Sequence, residues 1–215
     1  MHYRRLLHEG GGRSLRQQAR EAINAGMLFY KEGEMEAIIV LDIVKHFADK
    51  EHVKRIVPNI QRVVKAAKDS EVPVIYVCDM HRPTDKLYFE LSGYEPHCLI
   101  GAEDGDVLDE LKPEKPDLIV RKRNLSGFHA NDLEITLRGM GVDRIILAGA
   151  STDGCILFTA VDGYQRYFRV VVLRDCTASA RGPEWHEWPL RLMEKTMNIE
   201  ILSSDEAIEK YLKRR

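Results

Sequence analysis

Short runs of aliphatic and β-branched residues alternate along the chain with longer stretches whose apolar positions recur every three or four residues. The short runs are EAIIVLD (36–42), PVIYVCD (73–79), DLIVRK (117–122), RIILAG (144–149), RVVVLRD (169–175) and IEILSS (199–204). Helical spacing fills 52–69, 129–140, 154–167, 184–196 and 205–213. Strands that are apolar at nearly every position are buried on both faces, and helices between them cover those faces. The pattern therefore predicts a three-layer, doubly wound α/β fold with a parallel sheet of about six strands, its crossovers right-handed.

Before the first strand, Ser14 and Gln17 have capping-box spacing and predict one helix over 14–30, with Gly10–Gly12 closing whatever precedes it. The chain thus divides into an N-terminal extension, 1–35, and one domain, 36–215. No repeat or low-complexity tract is present. The longest irregular piece is 80–104, with Pro83, Gly93, Pro96 and Gly101. A loop of that length in a compact domain is usually functional or disordered.

Composition narrows the function classes. A net charge of −2 with 31% charged residues gives no basic excess for nucleic acid. Apolar runs are too short for a membrane span, and Met1–Gly12 lacks the apolar stretch of a secretory signal. Four cysteines without CxxC spacing fit reduced thiols in a cytoplasmic protein. Cys78, Cys98 and Cys176 read as small buried hydrophobes.

Cys155 is different. It follows GASTDG, where a strand passes into a helix. Ligands of open parallel sheets bind beyond the carboxyl ends of the strands. Those ends carry Asp42, Asp79, Lys122 and the turn with Cys155. Asp42 could cap a helix and Lys122 could be solvated, but those readings explain one residue each. Together the residues support covalent catalysis. A helix N-terminus is expected to lower the thiol pKa. Asp42 can carry the proton, Lys122 can hold the carboxylate ionised, and backbone N–H groups of the turn can form an oxyanion hole.

The stretch KRNLSGFHANDLEITLRGMGVDRIILAGASTDGCILFTAVDGYQRYFRVVVLRDCTAS, 122–179, resembles the core of the isochorismatase-like cysteine hydrolases, and within them the nicotinamidases. The resemblance covers about 36–203. It implies Cys155 as nucleophile, Asp42 as general base and acid, and Lys122 as third member. It also implies a cis peptide at Ala150–Ser151, with the N–H groups of Ser151 and Cys155 as the oxyanion hole. Assembly as a homo-oligomer is a further implication.

Asp79 and His81 alternate on an extended segment and can point the same way. A lone D-x-H pair arises by chance more often than as a ligand pair. With His97 it offers a carboxylate and two imidazoles, a donor set for a transition metal with open positions. In nicotinamidases this pattern binds a metal that faces the pyridine nitrogen, whereas isochorismatases proper and several ureido-amidases lack it. The resemblance therefore implies one divalent metal on Asp79, His81 and His97, zinc first, with iron or manganese also suited. Phe47 and Tyr94 fall at positions of ring-binding aromatics, although ordinary packing explains either as well. The chain departs from the family's DMQNDF with DIVKHF, and from its Trp-Pro with Tyr94-Glu95.

The expected activity is hydrolysis of a small amide to acid and ammonia, nicotinamide to nicotinate before others. A carbamoyl or ureido amide is the alternative within the superfamily. A non-catalytic nucleotide-binding module is the alternative outside it, although GxGxxG and GxxxxGK[ST] are both missing.

Overall fold

The computed structural model describes residues 35–213. Contacts divide the chain into Met1–Glu34 and Met35–Arg215, so the expected 14–30 helix and nearly all of the extension lie outside the described residues. The described strands are β1 (Met35–Leu41), β2 (Val74–Asp79), β3 (Leu118–Lys122), β4 (Val142–Ala150), β5 (Arg169–Ala178) and β6 (Glu200–Leu202). The helices are α1 (Glu51–Asp69), α2 (Lys86–Ser92), α3 (Leu133–Gly139), α4 (Leu157–Gln165), α5 (Pro183–Met197) and α6 (Ser204–Ala207). Among these residues no helix is long and apolar enough to cross a membrane.

All pairings are parallel, in the order β3-β2-β1-β4-β5-β6. The winding runs outward from β1 to β3 and then returns, so β1 and β4 flank the switch point where such sheets open a crevice. β1 alternates between two cores: Ile38 and Val40 pack toward α1, while Ala37, Ile39 and Leu41 pack with residues of α3, α4 and α5. On α1, Val53, Ile56, Val57, Ile60, Val63, Val64 and Ala67 form one buried stripe. Pro58 inside this helix costs about 3 kcal/mol. Burial of the stripe offsets that several-fold, at about 1.5–3 kcal/mol for each large side chain.

Two expectations need correction. Segment 80–104 is not irregular throughout, because 86–92 is helical and ends at Gly93 with φ 71°. Its apolar residues are nearly consecutive, KLYFELS, so no periodicity marks it. Helices at 129–140 and 154–167 begin later than the spacing suggests. The second is preceded by a wide π-type turn over Thr152–Ile156.

The β1–β4 contact leaves no room for a side chain at Gly149. With φ 127°, a Cβ there would stand 2.0 Å from the Leu41 carbonyl oxygen. Gly149→Ala is therefore expected to push β1 away just where Asp42 begins, costing about 1–3 kcal/mol or more in denaturant melts and most of the activity. Gly139→Ala, with nothing within 4 Å, serves as the control and should leave stability unchanged or slightly raised.

Candidate active site

Four adjacent strands deliver the chemistry. Lys122 ends β3 in register with Asp79, which ends β2. Asp42 follows β1 in a left-handed turn, φ 52°, a conformation that aspartate tolerates better than most residues. Its N–H donates to the Val77 carbonyl, and the Asp79 N–H donates to Asp42 Oδ1 at 3.0 Å. Cys155 lies in the turn after β4. The Ser151 carbonyl accepts from the N–H groups of both Gly154 and Ile156, closing that turn around the thiol-bearing residue. The Ala150–Ser151 peptide is cis, as the resemblance implied.

Lys122 is the hub. Its ammonium, 1% exposed, lies 2.9 Å from Asp42 Oδ2, 2.5 Å from Asp79 Oδ1 and 3.5 Å from Cys155 Sγ, and donates to the Asn124 carbonyl at 3.0 Å. The contact with Asp42 Oδ2 is an ion pair without an aligned hydrogen bond. The Cys155 thiol and the Asp42 carboxylate thus share one ammonium.

The electrostatics follow from burial. Burial, then the neighbouring charge of Asp79, raises Asp42 to about 6, against the pull of Lys122. Burial acts the same way on Asp79, but Lys122 and His97 outweigh it and hold that carboxyl down to about 2. Burial opposes the charge on Lys122, yet Asp42, Cys155 and Asp79 keep it firmly protonated. The expected low thiol pKa is not found. Burial, followed by the charge of Asp42, pushes Cys155 well up, and Lys122 only partly compensates. At rest the site holds a thiol beside a base of near-neutral pKa, an arrangement suited to proton transfer during attack.

Asp79, His81 and His97 stand together, all buried, with one ligand atom from each within 4.8 Å of the others. A short bridge makes this possible: His81 N–H donates to the Cys98 carbonyl at 2.9 Å, and Ile100 N–H donates back to the His81 carbonyl at 2.8 Å. That pairing draws His97 over β2. His97 Nδ1 bonds the Glu95 carbonyl at 2.8 Å, leaving Nε2 toward Asp79 Oδ2 at 3.7 Å. Neither ring nitrogen of the wholly buried His81 has a hydrogen-bond partner. Buried polar atoms without partners are uncommon, and a carboxylate with two imidazoles is a good donor set for a divalent metal. The residues fit such an ion.

Both expected aromatics gather at His97. The Phe47 ring is 5.9 Å away and tilted, and the half-exposed Tyr94 is edge-on at 6.2 Å. His46, in the stretch that departs from the family pattern, stacks on His97 at 5.0 Å and lies 3.4 Å from Asp104 Oδ2. Tyr88 and Phe89 were also missed, because they sit on the unpredicted α2. Their only signal was a pair of adjacent aromatics within the apolar run LYFEL.

Known proteins share this fold. The Isochorismatase domain model matches residues 36–206. An uncharacterized isochorismatase family protein, YaaI of Bacillus subtilis (strain 168), is 26% identical over 181 residues, 81% of this chain and 97% of that one. The crystal structure of N-carbamoylsarcosine amidase from Thermoplasma acidophilum superposes with TM-score 0.73 at 28% identity, over 80% of this chain and 97% of that one. Nicotinamidase PncA from Bacillus subtilis superposes with TM-score 0.72, also at 28% identity, over 79% of this chain and all of that one, 100%. Matched by that domain model over most of its length, the chain belongs to the isochorismatase family and is a hydrolase of carbon–nitrogen bonds in amides.

Proposed function

We propose that this chain hydrolyses nicotinamide to nicotinate and ammonia through a thioester on Cys155. In this reading 36–215 is the hydrolase domain and 1–35 an extension. The observation that carries it is the pairing of two groups of residues through Asp79. One oxygen of Asp79 meets Lys122 beside the thiol, and the other faces the imidazole of His97. A thiol site alone suits any small amide. A buried donor set next to it suits an amide whose ring carries a basic nitrogen.

Cys155 Sγ attacks the amide carbon as its proton passes to Asp42, and the carbonyl oxygen takes the negative charge against the N–H groups of Ser151 and Cys155. Asp42 then gives the proton to the departing nitrogen, releasing ammonia and leaving the thioester. Water, deprotonated by Asp42, attacks the thioester. The acid leaves and the proton returns to the thiol. Throughout, Lys122 keeps both carboxylates in place and its own charge unchanged. Asp79, His81 and His97 would hold a divalent metal, best zinc, which when bound supplies a Lewis-acid contact for the pyridine nitrogen. The family likeness supports a carbamoyl or ureido substrate equally well; the aromatic surround and the imidazoles favour the ring.

Asp42 must be ionised to take the thiol proton. Its carboxyl is raised to about 6, so kcat/KM should be full above that pH and fall as pH drops through it. An acid limb near an ordinary carboxylate value, below about 4.5, would count against Asp42 as the base.

The substrate and the metal are tested together. His81→Ala with His97→Ala removes two of three protein ligands, and elemental analysis should show the divalent metal lost while wild-type protein keeps it. One equivalent in both would place the metal elsewhere. Nicotinamide and pyrazinamide, which share a ring nitrogen meta to the carboxamide, should both release ammonia. Benzamide should be slower by about a hundredfold or more and insensitive to chelator, because a polar contact is lost. Equal rates for benzamide, or cleavage of ureido compounds alone, would overturn the nicotinamide reading and leave the amidohydrolase.

A further inference from the structure

Helix α2 turns two aromatic rings onto the buried imidazoles. The Tyr88 ring lies nearly parallel to His81, with centroids 4.7 Å apart and planes at 23°. Phe89 meets both His81 and His97 edge-on, at 4.9 and 5.7 Å. On the same helix Leu87 and Leu91 are exposed. The helix is anchored just before its start. The buried Asp85 carboxylate receives Arg123 Nε at 2.8 Å and also Nη2, and accepts the Arg82 N–H at 2.9 Å. Arg123 directly follows Lys122, so α2 is tied to the strand end that carries the buried ammonium.

This placement has a consequence for substrate size. His81 beneath Tyr88 is wholly buried, whereas Tyr88 itself is only half-buried. Its ring is backed by His81, meets the Phe89 ring edge-on at 5.2 Å, and stays partly exposed. It cannot retreat toward His81 to admit a larger ligand, because interiors packed at this density yield little. Standing on His81, the ring borders the imidazole end of the site.

We propose that Tyr88 is a specificity-determining wall of the amide site, which restricts the substrate to a single flat ring. The proposal rests on the thiol and donor-set reading given above. An amide whose carbonyl reaches Cys155 and whose ring nitrogen faces Asp79, His81 and His97 brings its ring to the end that Tyr88 borders. A fused second ring would meet the phenol.

The test compares wild type, Tyr88→Ala and Tyr88→Trp with nicotinamide and with quinoline-3-carboxamide, which keeps the ring nitrogen and adds a fused ring. Tyr88→Ala should shift the kcat/KM ratio toward the larger amide by about tenfold or more, and Tyr88→Trp should shift it the opposite way. Metal content should stay at the wild-type level in both, since no ligand is changed. Ratios within about twofold of wild type in either folded variant would overturn the proposal. If Tyr88→Ala does not fold, Tyr88→Trp alone decides. A ratio that is unchanged while metal is lost would show that the ring only covers His81, and would overturn it too. Alkylation of Cys155 by iodoacetamide and by the bulkier N-phenylmaleimide provides a readout free of any substrate assignment. Tyr88→Ala should speed the bulky reagent selectively, and equal acceleration of both reagents would overturn the wall. Should wild type cleave neither ring amide but another amide, the nicotinamide reading fails while the alkylation ratio still judges Tyr88.

Discussion

A single buried ammonium organises this molecule's working edge. Lys122 is removed from water at the end of β3 and stays charged only because Asp42, Asp79 and the Asn124 carbonyl surround it. Removing one partner of such a buried pair typically costs about 3–5 kcal/mol, because the other charge is left uncompensated. The two carboxylates are therefore held together despite their mutual repulsion, and their roles separate. Asp79, pressed by Lys122 and His97, stays ionised, whereas Asp42 carries the burden of burial and rises to about 6. Two similar side chains one strand apart thus differ, one a fixed anion and the other a carboxyl able to exchange a proton near neutrality.

The topology explains why these residues meet. Parallel strands β3, β2, β1 and β4 are neighbours, and their carboxyl ends present Lys122, Asp79, Asp42 and the Cys155 turn in spatial order. Gly149 sets the closeness of the last two. Its bare backbone lets β4 approach the Leu41 carbonyl, and Asp42 then turns back in a left-handed conformation toward the thiol. The fold's contribution to chemistry is this compression. No loop has to be ordered for Lys122, Asp42 and Asp79 to converge, since each is at the end of a paired strand or one residue beyond it.

That part was legible in the sequence. Near-continuous apolar runs marked the strands to within a few residues, and three of them end in Asp42, Asp79 and Lys122. The gathering of Asp79, His81 and His97 was legible too, since Asp79 and His81 alternate on one strand end and His97 follows in the same connection. What was not legible depended on tertiary context. Helix α2 has no periodicity because its stability comes from the Asp85–Arg123 pair and from rings packed on His81, neither visible locally. The thiol pKa was misjudged for a related reason. The helix N-terminus was apparent from the pattern, but the depth of burial and the nearness of Asp42 were not, and these dominate. His46 was noted only as a departure from a familiar pattern, and its stacking on His97 emerges once Lys45–Phe47 folds back over the site.

Covalent chemistry at Cys155 underlies every one of these assignments, and trapping the intermediate tests it most directly. Protein mixed with excess nicotinamide and quenched in acid within one turnover should show, by intact mass and peptide mapping, a nicotinoyl group on the peptide carrying Cys155 and on no other. The adduct should disappear when turnover is allowed to finish. Ammonia release with no adduct at any quench time, or an adduct on Cys78, Cys98 or Cys176 instead, would contradict a mechanism built around Lys122, Asp42 and Cys155.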